Sequence, residues 1–204
     1  MQTKFLVLSH FAALHFIGVL VSHLVLTISG GGGAPGNSKI SERTTDSIPF
    51  KSERVTQTDS IILNGSTTTV FPLFGAFEER KWAEGWNPTL VYPATETIAE
   101  GTTFKTKSHG FGEPDYTWLV NKYDSKKLFI QYLVISPNRY WTITVQCNKL
   151  AANKTLALIT YSFTGLNETG NHLNGHLLNK IYEHHLKDWE QAINAYLDKQ
   201  KSHS

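Results

Sequence analysis

Residues 155–199 read TLALITYSFTGLNETGNHLNGHLLNKIYEHHLKDWEQAINAYLDK, and two periods meet inside them. Between Thr155 and Thr164 the side chains alternate. Ala157, Ile159, Tyr161 and Phe163 fall on one face of an extended chain, with Leu156, Leu158, Thr160 and Ser162 on the other, because successive strand residues point to opposite sides. From Asn167 to Lys199 the apolar residues Leu173, Leu177, Leu178, Ile181, Tyr182, Leu186, Trp189, Ile193, Tyr196 and Leu197 recur three and four apart. That spacing predicts one long amphipathic helix. Its apolar stripe needs a partner, and the only large one upstream is a sheet.

The sheet reads backwards from Thr155. Tyr140–Lys149 and Thr155–Thr164 flank the turn Leu150–Lys154, and Tyr116–Tyr123 and Leu128–Ile135 flank Asp124-Ser125-Lys126-Lys127. Thr102–Ser108 is β-branched and aromatic. Short strands at hairpin spacing predict an antiparallel meander. Further back, Val55–Asn64 carries a strand signal. Ser66 and the threonines at 67–69 offer N-caps for a helical stretch through Val70, Phe71, Leu73, Phe74 and Phe77, with Pro72 suited to a first turn and Gly85 and Pro88 ending it. One strand, a short helical pair, a meander and a long terminal helix make an α+β plan. A twisted sheet curling around one helix leaves space between them unless bulky side chains fill it.

Strand alternation names the wall of that space. Trp118 with Tyr116 and Val120, Tyr132 with Ile130 and Val134, and Trp141 with Ile143 and Val145 match the inward set Tyr161 and Phe163. The helix contributes Tyr182 and Trp189. His185, beside that stripe, is placed to act as an acid or base at neutral pH or to sit satisfied in the core. The candidate ligand-binding residues are therefore Trp118, Tyr132, Ile143, Tyr161, Phe163, Tyr182, His185 and Trp189, with phenol and indole groups as orienting donors. The same aromatics would equally make a filled core. Trp82 and Trp86, with Glu79 and Arg80, either rim the mouth or staple the short helix to the sheet.

Other chemistry is thin. His172 and His176 lie four apart, but spacing supplies no third ligand, so no metal site is assigned. There is no nucleophile triad, phosphate-cradling glycine loop or HExxH helix, and no cofactor is implied. Cys147 stands alone, which excludes an internal disulfide framework and a cysteine-based zinc site. Nineteen basic against 17 acidic residues in a chain of 204 give no field for nucleic acid.

Ahead of the globular part, residues 29–54 read SGGGGAPGNSKISERTTDSIPFKSER, a stretch without period that predicts a flexible linker. Before it, Phe5–Ile28 holds no Asp, Glu, Lys or Arg. As a helix rising ~1.5 Å per residue the run reaches about 36 Å, enough to cross a bilayer core. Lys4 and the terminal amine set the amino terminus on the cytoplasmic side. Two readings of residues 1–28 stay open, a retained signal anchor, which the length fits better, and a cleaved signal peptide. The organisation read here is residues 1–28 as anchor or signal, 29–54 as linker, and 55–200 as a globular domain outside the cytoplasm, either membrane-tethered or secreted.

Within that domain Val70-Phe71-Pro72-Leu73-Phe74, Glu79-Arg80-Lys81-Trp82-Ala83-Glu84-Gly85-Trp86-Asn87-Pro88, Glu100-Gly101-Thr102-Thr103-Phe104, Trp118 and Asp188-Trp189-Glu190 resemble a bacterial, polyketide cyclase/dehydrase-like subgroup of the START-like (SRPBCC) superfamily. The resemblance implies the helix-grip fold, with a deep pocket between the sheet and the C-terminal helix. It carries no catalytic residue across, and a fold of this kind does not select a function. The expected function is binding of a small hydrophobic or lipid-like ligand in that pocket. The alternative is an aromatase/cyclase-like enzyme acting on a polyketide-type substrate.

Overall fold

The computed structural model describes residues 49–108 and 115–202. The expected membrane segment, and all but the end of the expected linker, lie outside the described residues. Among the described residues no helix is long and apolar enough to cross a membrane.

Seven strands, β1 (Arg54–Leu63), β2 (Thr89–Tyr92), β3 (Thr103–Thr106), β4 (Tyr116–Asp124), β5 (Phe129–Ile135), β6 (Arg139–Ala151) and β7 (Lys154–Gly165), form one antiparallel sheet in the order β1-β7-β6-β5-β4-β3-β2. The architecture is the expected α+β one, a curved sheet with helices at the C-terminal end. The meander follows its turn chemistry. Asp124 Oδ1 accepts from the backbone N–H groups of Lys126 and Lys127 at 3.0 and 2.9 Å, which closes the β4–β5 hairpin. Strand β2 is not anticipated from sequence. Four residues between Pro88 and Pro93, three of them exposed, carry too little alternation to read.

The two faces of the sheet differ as the alternation requires. Val120, Ile130, Val134, Val145, Ala157 and Ile159 are buried on one side. On the other, hydroxyls pair across strands, Thr56 with Ser162 and Thr58 with Thr160, both at 2.8 Å. The outer face therefore mixes such hydroxyl pairs with aliphatic residues, Ile62 and Ile135 among them exposed.

Between β1 and β2 the chain makes one helical turn, α1 (Thr67–Val70), and two tighter 3-10 turns, Phe71–Phe74 and Glu78–Lys81. Ser66 caps α1 by accepting from Thr69 N–H at 3.3 Å. Such short pieces leave carbonyls without helical partners, and aromatic donors take them. Trp82 Nε1 donates to Leu73 O at 2.7 Å, Trp86 Nε1 to Ala76 O at 2.6 Å, and the Tyr132 hydroxyl to Phe74 O at 2.8 Å. The tryptophan pair thus staples the segment.

The single long terminal helix expected from the 3–4 spacing is two helices, α2 (Glu168–Tyr182) and α3 (Lys187–Ser202). His185 and Leu186 both adopt left-handed backbone, with φ of 52° and 53°, a conformation that costs a non-glycine residue about 1–2 kcal/mol. Two contacts hold it: Leu186 is buried at 1% exposure, and His185 Nδ1 meets Asp59 Oδ2 at 2.8 Å. The break preserves the apolar spacing from Tyr182 through Leu186 to Trp189, which is why no period marks it.

The chain arrives at β1 well fastened. Ser52 Oγ donates to Gly165 O at 2.6 Å, Glu53 N–H to Asn171 Oδ1 at 3.0 Å, and Asn171 Nδ2 to Lys51 O at 2.9 Å. Arg54 reaches Thr164 Oγ1 at 2.9 Å and the Tyr140 hydroxyl at 2.7 Å.

Candidate functional site

A cavity of about 490 Å³ opens between the inner face of the sheet and the terminal helices. Its sheet wall comes from the ends of strands that share one edge of the molecule: Trp118 from β4, Trp141 and Ile143 from β6, Tyr161 and Phe163 from β7. Leu177 and Ile181 of α2 and Trp189 of α3 face them. Trp86 closes one side from the segment that precedes β2.

The aromatic groups brace one another. Phe104 and Trp118 stack at 5.4 Å, Trp86 meets Trp118 edge to face at 5.4 Å, and Tyr116 meets Trp141 the same way at 5.1 Å. Trp118 Nε1 is already donated to Thr106 Oγ1 at 2.9 Å. Arg139 is 2% exposed, with its guanidinium 4.7 Å from the Trp141 ring and 5.3 Å from that of Phe163, a cation held on π faces. Lys105, Lys107, Asp115 and Lys180 stand at the mouth, with Lys107 Nζ and Asp115 Oδ2 at 2.7 Å. That Lys107 hydrogen bond, against slight desolvation, holds the Asp115 carboxyl below its ordinary range.

Five of the residues read from sequence line this cavity: Trp118, Ile143, Tyr161, Phe163 and Trp189. The Tyr161 hydroxyl makes no hydrogen bond to a described residue, and burial, with Tyr182 and Glu79 nearby, pushes its pKa well up. The other three stand elsewhere. Tyr132 lines a second, much smaller chamber, and its hydroxyl is committed to Phe74 O. Tyr182 is turned into the sheet. Its hydroxyl accepts from Tyr161 N–H at 3.1 Å and lies 2.8 and 2.9 Å from the carbonyls of Gln57 and Ile159. His185 corrects the expectation of a half-buried imidazole beside the pocket. The left-handed turn swings it outward to Asp59, and its side chain is 76% exposed.

One group read from sequence only as a companion of the tryptophan pair lies deeper than a rim. Glu79 is 6% exposed and lines the second chamber, of about 10 Å³, with Trp86, Phe104, Trp118, Tyr132, Trp189 and two aliphatic residues. Burial alone pushes its carboxyl well above the ordinary carboxylate range. A signal was present: Glu79, Trp82, Ala83 and Trp86 fall at helical offsets 3, 4 and 7, on one face with buried neighbours. Arg80, by contrast, leaves the site and pairs with Glu96 at 2.8 Å.

Among the described residues no group of three His, Cys, Asp or Glu could hold a metal, and His172 and His176 are both exposed. Cys147 is buried, its thiol pushed up to about 12 by desolvation, so it is no nucleophile.

No protein-family model matches the chain, and no curated protein matches it in sequence. Solved structures do match in shape. Truncated norcoclaurine synthase from Thalictrum flavum superposes with a TM-score of 0.56 at 9% identity, over 72% of this chain and 94% of that one. The Zhui aromatase/cyclase from Streptomyces sp. R1128 gives 0.54 at 12% identity, over 74% and 96%. A protein from Thermobifida fusca gives 0.52 at 16% identity, over 69% and 94%. At these identities the likeness speaks for the fold and not for the chemistry. The fold of this chain is the helix-grip fold of the START-like, SRPBCC-type proteins.

Proposed function

We propose that the chain binds a small hydrophobic organic molecule in the cavity between its sheet and its C-terminal helices. The observation that carries this is the cavity itself, about 490 Å³, open to solvent and walled by Trp86, Trp118, Trp141, Tyr161 and Phe163. A space of that size falls within the range of small-molecule sites, and its few polar groups suit orientation more than affinity. Norcoclaurine synthase, of the same fold, has been solved with dopamine and hydroxybenzaldehyde, at a TM-score of 0.54 to this chain and 10% identity. A cavity in this fold can thus admit small aromatic molecules.

Native mass spectrometry of the purified chain tests the reading. Co-purified small molecule is expected, and Trp118→Ala with Tyr161→Ala should reduce its occupancy about tenfold or more, the effect of losing two large contacts. Empty protein from every expression host, or occupancy unchanged in the double variant, would remove the assignment.

A cyclase-like enzyme is the second reading, favoured by the unengaged Tyr161 hydroxyl in the cavity. We further propose that residues 5–28 hold the chain at a membrane with the domain outside the cytoplasm. Carbonate extraction should leave the full chain in the membrane pellet. Its release into the supernatant would count for a cleaved signal instead.

A further inference from the structure

Glu79 is the buried carboxyl of the described chain, and no described residue donates a hydrogen bond to it. The donors nearest in the fold are spent. Trp86 Nε1 goes to Ala76 O, Trp118 Nε1 to Thr106 Oγ1 and the Tyr132 hydroxyl to Phe74 O. Buried polar groups in folded proteins nearly always have partners, so one without asks for a reason. Its surroundings supply one. The chamber beside it is about 10 Å³, room for roughly one water-sized group. Trp86, Trp118, Ile143 and Trp189 line both this chamber and the main cavity, so the two spaces adjoin across these four side chains.

A head group that fits must be one heavy atom across, must bring its own donors, and must gain from aromatic walls. A primary ammonium does all three: it is close to water in size, it gives charge-assisted hydrogen bonds to a carboxyl, and it is drawn to π faces. A carboxylate or phosphate is too large and meets no donor. A hydroxyl gains one neutral hydrogen bond and nothing from the rings.

We propose that Glu79 and the rings of Trp86, Phe104, Trp118, Tyr132 and Trp189 form an ammonium subsite adjoining the cavity, so that the ligand is a small primary amine bound amine-first. The inference rests on the cavity being a ligand site and narrows what enters it. The mouth agrees on orientation. Lys105, Lys107 and Lys180 stand there against Asp115 alone, so a cationic end is disfavoured at the rim.

Isothermal titration calorimetry on the full-length chain at neutral pH, with 2-phenylethylamine, 2-phenylethanol and 3-phenylpropanoate as probes, separates the outcomes. The amine should bind about tenfold or more tighter than the alcohol, a difference of about 1.4 kcal/mol, with the acid weakest. Glu79→Gln, nearly isosteric, should bring the amine to within about threefold of the alcohol and leave alcohol binding almost unchanged. Amine and alcohol binding alike, or a preference that survives Glu79→Gln, overturns the subsite while leaving the cavity reading in place. Failure of all three probes overturns both. The comparison among probes on the unaltered chain decides the matter even if the variant does not fold.

Discussion

A carboxyl buried among rings, accepting no hydrogen bond from a described residue, keeps its proton while no cation is bound beside it, and burial accordingly holds Glu79 well above the range of an exposed carboxylate. The consequence for stability has a definite sign. The folded state binds this proton more tightly than the unfolded chain, so the contribution is complete below the unfolded pKa, about 4.3. It is lost as pH rises from there toward the folded value, at about 1.4 kcal/mol per pH unit. Urea unfolding of the protein and of Glu79→Gln at pH 5 and pH 8 should show the original chain losing ground to the variant at the higher pH. A difference independent of pH would mean that the carboxyl is solvated. At this scale the sequence was partly legible. Strand alternation put Trp118, Ile143, Tyr161 and Phe163 on the right wall because a two-residue period leaves no other choice. It could not show that Tyr182, on the same face of its helix as Leu178, spends its hydroxyl on the β1 and β7 backbone.

Among the elements, the helix pair carries the largest departure from expectation. A period of 3.6 continues through Tyr182, Leu186 and Trp189 whether or not the backbone does, and no glycine or proline marks the break. The turn is imposed from outside, by the burial of Leu186 and the pairing of His185 with Asp59, so it was not readable locally. The start of α2 is set by a different device. Asn167 caps it by accepting from Gly170 N–H at 2.9 Å, and a Cβ at Gly170 would stand 1.9 Å from the carbonyl oxygen of Asn138. The helix therefore lies directly on the β5–β6 turn. Gly170→Ala should destabilise the protein by about 1–3 kcal/mol, the usual cost of overpacking, visible as a lower urea midpoint with unchanged slope. Gly175→Ala is the control, since a Cβ there meets nothing within 4 Å. Equal effects at the two positions would show that helix propensity, not the close approach, is in play.

For the molecule as a whole, the order from β3 to β7 and the place of the cavity follow from the meander and the terminal apolar stripe, both plain in the sequence, whereas β1 beside β7 and β2 at the far edge do not. What fills the cavity does not follow, because affinity depends on a few side chains whose partners are distant in sequence. A molecule recovered by native mass spectrometry, added back at about 100 times its Kd, should stabilise the folded state by about 2.7 kcal/mol. In a differential scanning experiment that is a rise in Tm of several degrees, and Trp118→Ala should abolish most of it. A rise of the same size in the variant would place the molecule elsewhere on the surface.

Arg54, where the chain joins the sheet, pairs with Thr164, and Arg139 pairs with Gly165 one residue further along the same strand. The described chain thus enters the sheet close to Arg139, one of the residues that line the cavity. Under the proposed attachment of residues 5–28 to a membrane, that placement would set the distance over which a guest must travel to be handed in or out. Moving that attachment to the carboxyl terminus would turn the opening away from its supply without altering a single contact inside.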